Sequence, residues 1–281
     1  MQFSNVDIGI YLTDPSHFKL DNSRKSLSGS YGEVKFLQVN GSKKKCVVKI
    51  NKDTLSDDRS RLLFNREVRI LAVYLHPAIV PFLGYSIEDN HGCIYLEEIE
   101  NGSLAGLIKK KQSLSMTQKY IITYGVALAM QYLHRYDCIH RDLKTENILL
   151  DKNFYPYITD FGVSKEVSRE ELISSSRFVT TPKITAPELL EDEKDDEDID
   201  PKNSFPIDVY AYGITLFELW AGKQIYQNYK RTYPLFIAIA NGIREEIPPE
   251  VKDNWKEMIE NCWSQDPKKR PTFDDIVKDL Q

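Results

Sequence analysis

Val34-Lys35-Phe36-Leu37-Gln38-Val39 sets apolar and polar side chains in near alternation, Asn40-Gly41 supplies a turn, and Lys45-Cys46-Val47-Val48-Lys49-Ile50 returns. That pattern predicts a β-hairpin. Strand signals dominate residues 18–50 and 80–98, interrupted by one helical stretch. From Arg59 to Tyr74 apolar residues fall at Leu62, Leu63, Val68, Ile70, Leu71 and Val73, and His76-Pro77 closes the run. The expectation is a small sheet with one helix packed on it. Past residue 103 the period lengthens: Ile121, Tyr124, Leu128, Ala129 and Tyr132 predict an amphipathic helix to about Arg135. Phe205–Ala221 is apolar nearly all round, the pattern of a helix in the middle of a helical unit. Thr272–Leu280 predicts a last short helix, with no room for a further domain after it, and no internal repeat is visible. The fold class expected is α+β, a small mainly antiparallel β lobe with one helix and a larger, mainly helical lobe.

Composition narrows the classes. With 281 residues, 41% hydrophobic and 28% charged, the chain has ample core for one large or two modest domains. No apolar run approaches the ~20 residues of a membrane span, and Met1-Gln2-Phe3-Ser4-Asn5 lacks the layout of a signal peptide. Cys46, Cys93, Cys138 and Cys262 are scattered without metal-binding spacing, which argues against zinc or a disulfide framework and for a reducing, cytoplasmic location. The run Glu191–Asp200 holds eight acids and one lysine, −7 against a net charge of −5, so the remainder carries about +2. A near-neutral body with one acidic tract, expected to be a mobile loop, is not the footprint of a nucleic-acid binder.

The chemistry concentrates in His140-Arg141-Asp142-Leu143-Lys144-Thr145-Glu146-Asn147, followed by Asp160-Phe161-Gly162. A carboxylate, an ammonium group and an amide share one short loop, and a second carboxylate follows after a hairpin's length. Phosphoryl transfer from a nucleotide needs such a set: an acceptor for a hydroxyl proton, a cation near the moving phosphoryl group, and oxygen ligands for Mg²⁺. The two blocks, in this order and with strand-like Ile148-Leu149-Leu150 and Tyr157-Ile158-Thr159 between them, resemble the catalytic and magnesium loops of eukaryotic protein kinases. Lys144 gives the loop its serine/threonine form, and Cys262-Trp263 with Asp208-Val209-Tyr210 is most similar to the tyrosine-kinase-like group.

The resemblance covers residues 18–281, with 18–98 as small lobe and 99–281 as large lobe; residues 1–17 are an unassigned extension. It implies roles one residue at a time. Gly29 and Gly32, in Gly29-Ser30-Tyr31-Gly32-Glu33-Val34, resemble the rear of the glycine-rich loop that lets backbone approach ATP phosphates. Leu27 stands where the family has another glycine, and its bulk and lost backbone freedom are expected to weaken ATP binding. Val34, Val47 (for the family's alanine) and Leu149 would enclose the adenine, and the backbones of Glu97 and Ile99 would bond its edge. Lys49 would hold α- and β-phosphates, with Glu67 as its ion-pair partner. Asp142 would be the base, Lys144 the neutralising cation, and Asn147 and Asp160 the Mg²⁺ ligands. Thr181 belongs to the segment that receives a protein substrate. Ser174, Ser175, Ser176 and Thr180 are candidate phosphorylation sites, whose phosphate Arg141 would receive. His140, Phe161, Glu188, Asp208 and Arg270 are read as structural, Glu188 pairing with Arg270, and Asp208 bonding the His140-Arg141 backbone. His134 is read as a packed histidine. The implied activity is transfer of the γ-phosphoryl group of ATP to a protein serine or threonine in intracellular signalling. The alternatives are a pseudokinase scaffold, which Leu27 and Val47 favour, and, more distantly, a metabolite kinase. The chain leaves its oligomeric state open.

Overall fold

The computed structural model describes residues 7–29, 32–166, 181–190 and 204–281. Two compact units divide the chain: one runs to Glu100 and takes in Asp160–Val163, the other comprises Asn101–Thr159 and Ser164–Gln281. The acidic run expected to form a loop lies outside the described residues.

The first unit is an antiparallel sheet of β1 (Phe18–Leu20), β2 (Leu27–Gly29), β3 (Gly32–Val39), β4 (Lys45–Thr54), β5 (Phe82–Glu88) and β6 (His91–Glu97). Its order is β1-β3-β4-β6-β5, with β2 also paired to β3. The expected hairpin is β3–β4, in register from Gln38↔Lys45 to Gly32↔Asn51. Alternation along it sorts the two faces. Leu37, Cys46, Val48, Cys93 and Tyr95 form a core cluster, with Phe18, Val39, Ile50 and Leu83 packed against it. Val47 and Lys49 therefore project from the opposite face. Helix α1 (Asp58–Val73) starts where Asp57 accepts a bond from the Ser60 N–H, and it buries Phe64, Glu67, Val68 and Leu71. That spacing is a single helical stripe, so Glu67 lies among the packed residues, not the solvated ones.

Ahead of β1, the described residues of the unassigned extension pack onto this same unit. Asp7 and Asp14 cap two one-turn helices, Ile8–Tyr11 and Pro15–His17, by accepting from the N–H groups of Gly9 and Ser16. The Thr13 N–H donates to the Tyr85 carbonyl on β5 at 2.8 Å. Residue 18 thus starts a strand but does not mark a structural boundary.

The second unit is helical: α2 (Leu104–Lys109), α3 (Met116–Arg135), α4 (Phe205–Ala221), α5 (Thr232–Ala240), α6 (Asp253–Cys262) and α7 (Phe273–Asp279). Ser115 and Gln118 form a reciprocal capping box that opens α3. Every residue of α4 from Ile207 to Trp220 is buried, and the helix ends at Gly222 in a left-handed conformation. Thr123 of α3 accepts from the Tyr212 hydroxyl (3.0 Å) with its carbonyl and from the Trp220 indole N–H (3.1 Å) with its hydroxyl. Trp220 then stacks on Trp255 of α6 at 4.0 Å. Two small ladders complete the unit, β7 (Cys138–Ile139) with β10 (Lys165–Glu166) and β8 (Ile148–Leu150) with β9 (Pro156–Ile158). Strand β9 begins and ends one residue earlier than the apolar run suggested, and just past it the Thr159 N–H donates to the Asn147 carbonyl at 3.0 Å, in register with the ladder.

All four cysteines are free and buried. Burial pushes the Cys46 and Cys93 thiols up to about 11 and that of Cys262 up to about 12. No helix among the described residues is long and apolar enough to cross a membrane.

Candidate active site

Each unit contributes a cluster of charged side chains to the sequence-predicted site residues. In the first, the Lys49 ammonium group donates to Glu67 Oε1 at 2.6 Å and to Asp160 Oδ1 at 2.7 Å. Burial alone would lower the Lys49 pKa, but the two carboxylates outweigh it and raise it, so the lysine stays charged. Burial raises the Glu67 carboxyl against the opposing pull of Lys49. Asp160 holds a left-handed backbone at φ 67°, a conformation that a non-glycine residue keeps only when its surroundings over-determine it.

The glycine-rich segment leads into the same sheet. Gly32 has φ 148°, and a Cβ there would lie 2.0 Å from the Ile50 carbonyl oxygen. The close approach of β3 to β4 therefore requires glycine. Gly29 pairs with Gly32, and Leu27 with Val34. Leu27 is extended backbone with its side chain 59% exposed. Leucine adopts that conformation readily, so the loss of backbone freedom expected at this position costs nothing here. Val34 lies opposite Lys49, and Val47 opposite Leu96. The Glu97 N–H is committed to the Pro81 carbonyl (3.0 Å) and its side chain to Lys44 (2.7 Å), leaving the Glu97 carbonyl as the backbone group it could offer a base. Ile99 is buried.

The second cluster surrounds Asp142, which is 1% exposed. Its Oδ2 accepts from Lys144 Nζ at 2.6 Å and from the Asn147 amide at 2.9 Å. Its Oδ1 accepts from the Thr181 hydroxyl at 2.8 Å, and that hydroxyl in turn accepts from Lys144 at 2.7 Å. Thr181 thereby joins the segment that it opens to the carboxylate and cation of the loop. Leu149 of β8 is half-buried.

Asp208 of α4 shapes this loop from below. Its carboxylate accepts from the His140 and Arg141 N–H groups, both at 2.8 Å, and bonds His134 Nε2 at 2.9 Å. Burial would raise the Asp208 pKa, but the bonds to His134 and the backbone outweigh it and hold the carboxyl below its ordinary value. Arg141 sits at φ 69°, and the two charge-assisted bonds offset the cost of that backbone. The Asp142 N–H donates to His140 Nδ1 (3.2 Å), which leaves Nε2 to carry the proton facing the Thr159 carbonyl (3.3 Å). His134 packs between Phe205 and Phe273. Phe161 is fully buried.

The segment from Thr181 to Glu188 has a second anchor, where Glu188 Oε1 and Oε2 accept from Arg270 at 2.7 and 2.8 Å. Arg270 also donates to the Ser264 and Pro206 carbonyls (2.9 and 3.0 Å).

Sequence reasoning missed one further anchor. Lys183 Nζ bridges Glu146 Oε1 (2.9 Å) and Glu218 Oε1 (3.0 Å), while Glu218 also accepts from the Thr145 hydroxyl and the Ile225 N–H (3.1 Å). Burial would lower the Lys183 pKa, yet Glu218 and Glu146 raise it. A lysine in a loop reads as solvated, and only Glu218 gave a signal, as one of two acids, with Asp208, on a largely apolar helix. Ser174, Ser175, Ser176 and Thr180 lie outside the described residues.

Comparison with known proteins adds to this geometry. Residues 21–280 match the family described as protein tyrosine and serine/threonine kinase. A Dictyostelium discoideum protein described as a probable serine/threonine-protein kinase is 36% identical over 224 residues, 77% of this chain and 16% of that protein. A dual specificity protein kinase of the same organism is 29% identical over 255 residues, covering 90% of this chain and 18% of its own length. A serine/threonine-protein kinase of Arabidopsis thaliana is 32% identical over 266 residues, 92% of this chain and 31% of that protein. The chain thus spans less than a third of the length of each of these relatives. The match over nearly its whole length establishes that the chain belongs to the protein tyrosine and serine/threonine kinase family.

Proposed function

We propose that the chain is an ATP-dependent protein serine/threonine kinase, transferring the γ-phosphoryl group of ATP to a protein hydroxyl. The observation that carries this reading is the bonding of Asp142. A buried carboxylate fixed on one oxygen by Lys144 and Asn147, and on the other by Thr181, is preorganised to take a hydroxyl proton. Lys144, on the same oxygen, would neutralise charge that builds on the transferring phosphoryl group. Lys49, kept charged by Glu67 and Asp160, would bind the α- and β-phosphates. Positioning and charge stabilisation supply most of the rate in this chemistry.

Asn147 and Asp160 would hold Mg²⁺, both offering the hard oxygen donors it requires. Among the described residues no three His, Cys, Asp or Glu side chains group to hold a metal, so phosphate oxygens and water would complete the shell. Bound Mg²⁺ would neutralise negative charge on the phosphates. Four free, buried thiols accord with a cytoplasmic signalling role.

Labelled ATP and a generic basic protein, with and without Mg²⁺, followed by phosphoamino-acid analysis, test the reading. Mg²⁺-dependent phosphoserine and phosphothreonine are expected. Nucleotide binding without transfer would instead make the chain a pseudokinase. Dominant phosphotyrosine would overturn the acceptor assignment, and equal yields would align it with its dual specificity relative.

A further inference from the structure

Residues 7–17 precede the family match, yet the sheet is shaped to receive them. Gly84 on β5 has φ 145°, and a Cβ there would lie 1.9 Å from Thr13 Oγ1 and 2.9 Å from the Tyr11 carbonyl oxygen. The notch is filled by this segment: Thr13 donates to the Tyr85 carbonyl, Leu12 bridges Tyr85 in parallel, and the Tyr11 ring packs 5.5 Å from that of Phe82. At its other end, Asn40 in the β3–β4 turn bonds the Ser16 carbonyl (2.6 Å) and the His17 carbonyl (2.9 Å).

The segment reaches α1 directly on the C-terminal side of Glu67 and, through Tyr85 of β5, on the N-terminal side. The Tyr11 hydroxyl points at the Ala72 carbonyl (3.4 Å), one turn and more past Glu67. Tyr85, whose backbone the strap bonds, sets its ring edge-on to Phe64 at 5.8 Å. Phe64 lies three residues before Glu67, on the same helical stripe. Any shift of the strap is therefore felt at two points flanking the carboxylate that holds Lys49.

We propose that Asp7–His17 is a positioning strap for the phosphoryl-transfer reaction: by gripping α1 through Tyr11 and Tyr85, it keeps Glu67 within bonding distance of Lys49. The inference rests on the kinase reading above. A bland role also exists, since β5 is an edge strand and edges are commonly covered to prevent unwanted pairing. The two roles differ in whether the strap acts through Glu67.

The test uses the full chain with Tyr11→Ala and Thr13→Pro combined, which removes the ring and the N–H donor. Both positions are only partly buried, so the fold should survive. Steady-state kinetics are measured for this variant in the native and in the Glu67→Gln background. Amide exchange is followed across α1, with α4 as the reference. Positioning predicts a fall in kcat/KM of about tenfold in the native background, almost no further fall beside Glu67→Gln, and faster exchange confined to α1 and β5. Tyr11→Phe, which keeps the ring on Phe82 but removes the hydroxyl that faces the Ala72 carbonyl, should lose part of that activity and loosen α1 more than β5. An equal proportional loss in both backgrounds, or unchanged α1 exchange, overturns the strap's role. If the unaltered chain transfers no phosphate, the kinase reading falls, and α1 exchange then decides the grip by itself.

Discussion

Asp142 places three donors on two oxygens, and that arrangement says what a minimal change would do. In Asp142→Asn the Thr181 hydroxyl can rotate to accept from the new amide, while Lys144 and Asn147 keep the remaining oxygen. The fold should persist and ATP binding should change little, while kcat falls by ~10²–10⁴-fold. Near-normal turnover in a purified preparation would remove Asp142 from the role of base. Leu27 makes the opposite case. Its extended backbone is paired with Val34, so glycine there relieves no strain and loosens a strand. Leu27→Gly should lower stability by about 0.5–1 kcal/mol and leave the ATP KM nearly unchanged. A clearly lower KM would mean that the leucine side chain itself obstructs the nucleotide.

Among elements, α4 does the most to set the chemistry although none of it carries a reacting group. Asp208 bonds two successive N–H groups of the loop that carries Asp142, which Asn cannot do with its one oxygen. Asp208→Asn should cost about 3 kcal/mol at neutral pH. The Asp208 carboxyl is held below its ordinary 3.8 in the folded chain, so its stabilisation is fully present above that value and is lost as pH falls through the folded pKa. Urea titrations should show the gap between the two proteins closing below pH 3.8. A constant gap would mean that Asp208 contributes by packing rather than by charge. The centrality of α4 was legible because Phe205–Ala221 is apolar on every side, and so was the loop chemistry, carried in two contiguous runs. The strap was not. Its turns are set by Asp7 and Asp14 caps, which have no periodicity, and its partner Gly84 is far away in sequence. Lys183 was equally hidden, since its two acids come from a loop and a helix that only folding brings together.

At the scale of the molecule, two compact units share one chain, and the prediction is that they lose stability separately. Arg270→Ala would leave Glu188 and two carbonyls without their donor, at a cost of about 3–5 kcal/mol. The loss should be confined to the helical unit and lower its melting temperature by about 10 °C. An equal fall in both units would show that they unfold as one body. The cysteines make this distinction measurable without any label being engineered. Cys46 and Cys93 lie in the sheet core, Cys138 and Cys262 in the helical unit, and none is accessible. At neutral pH so few of the three raised thiols are ionised that an alkylating reagent would hardly touch them until they are uncovered. The order in which the four residues become alkylated during slow denaturation would therefore time the opening of each half, making the native thiols a two-channel clock for unfolding.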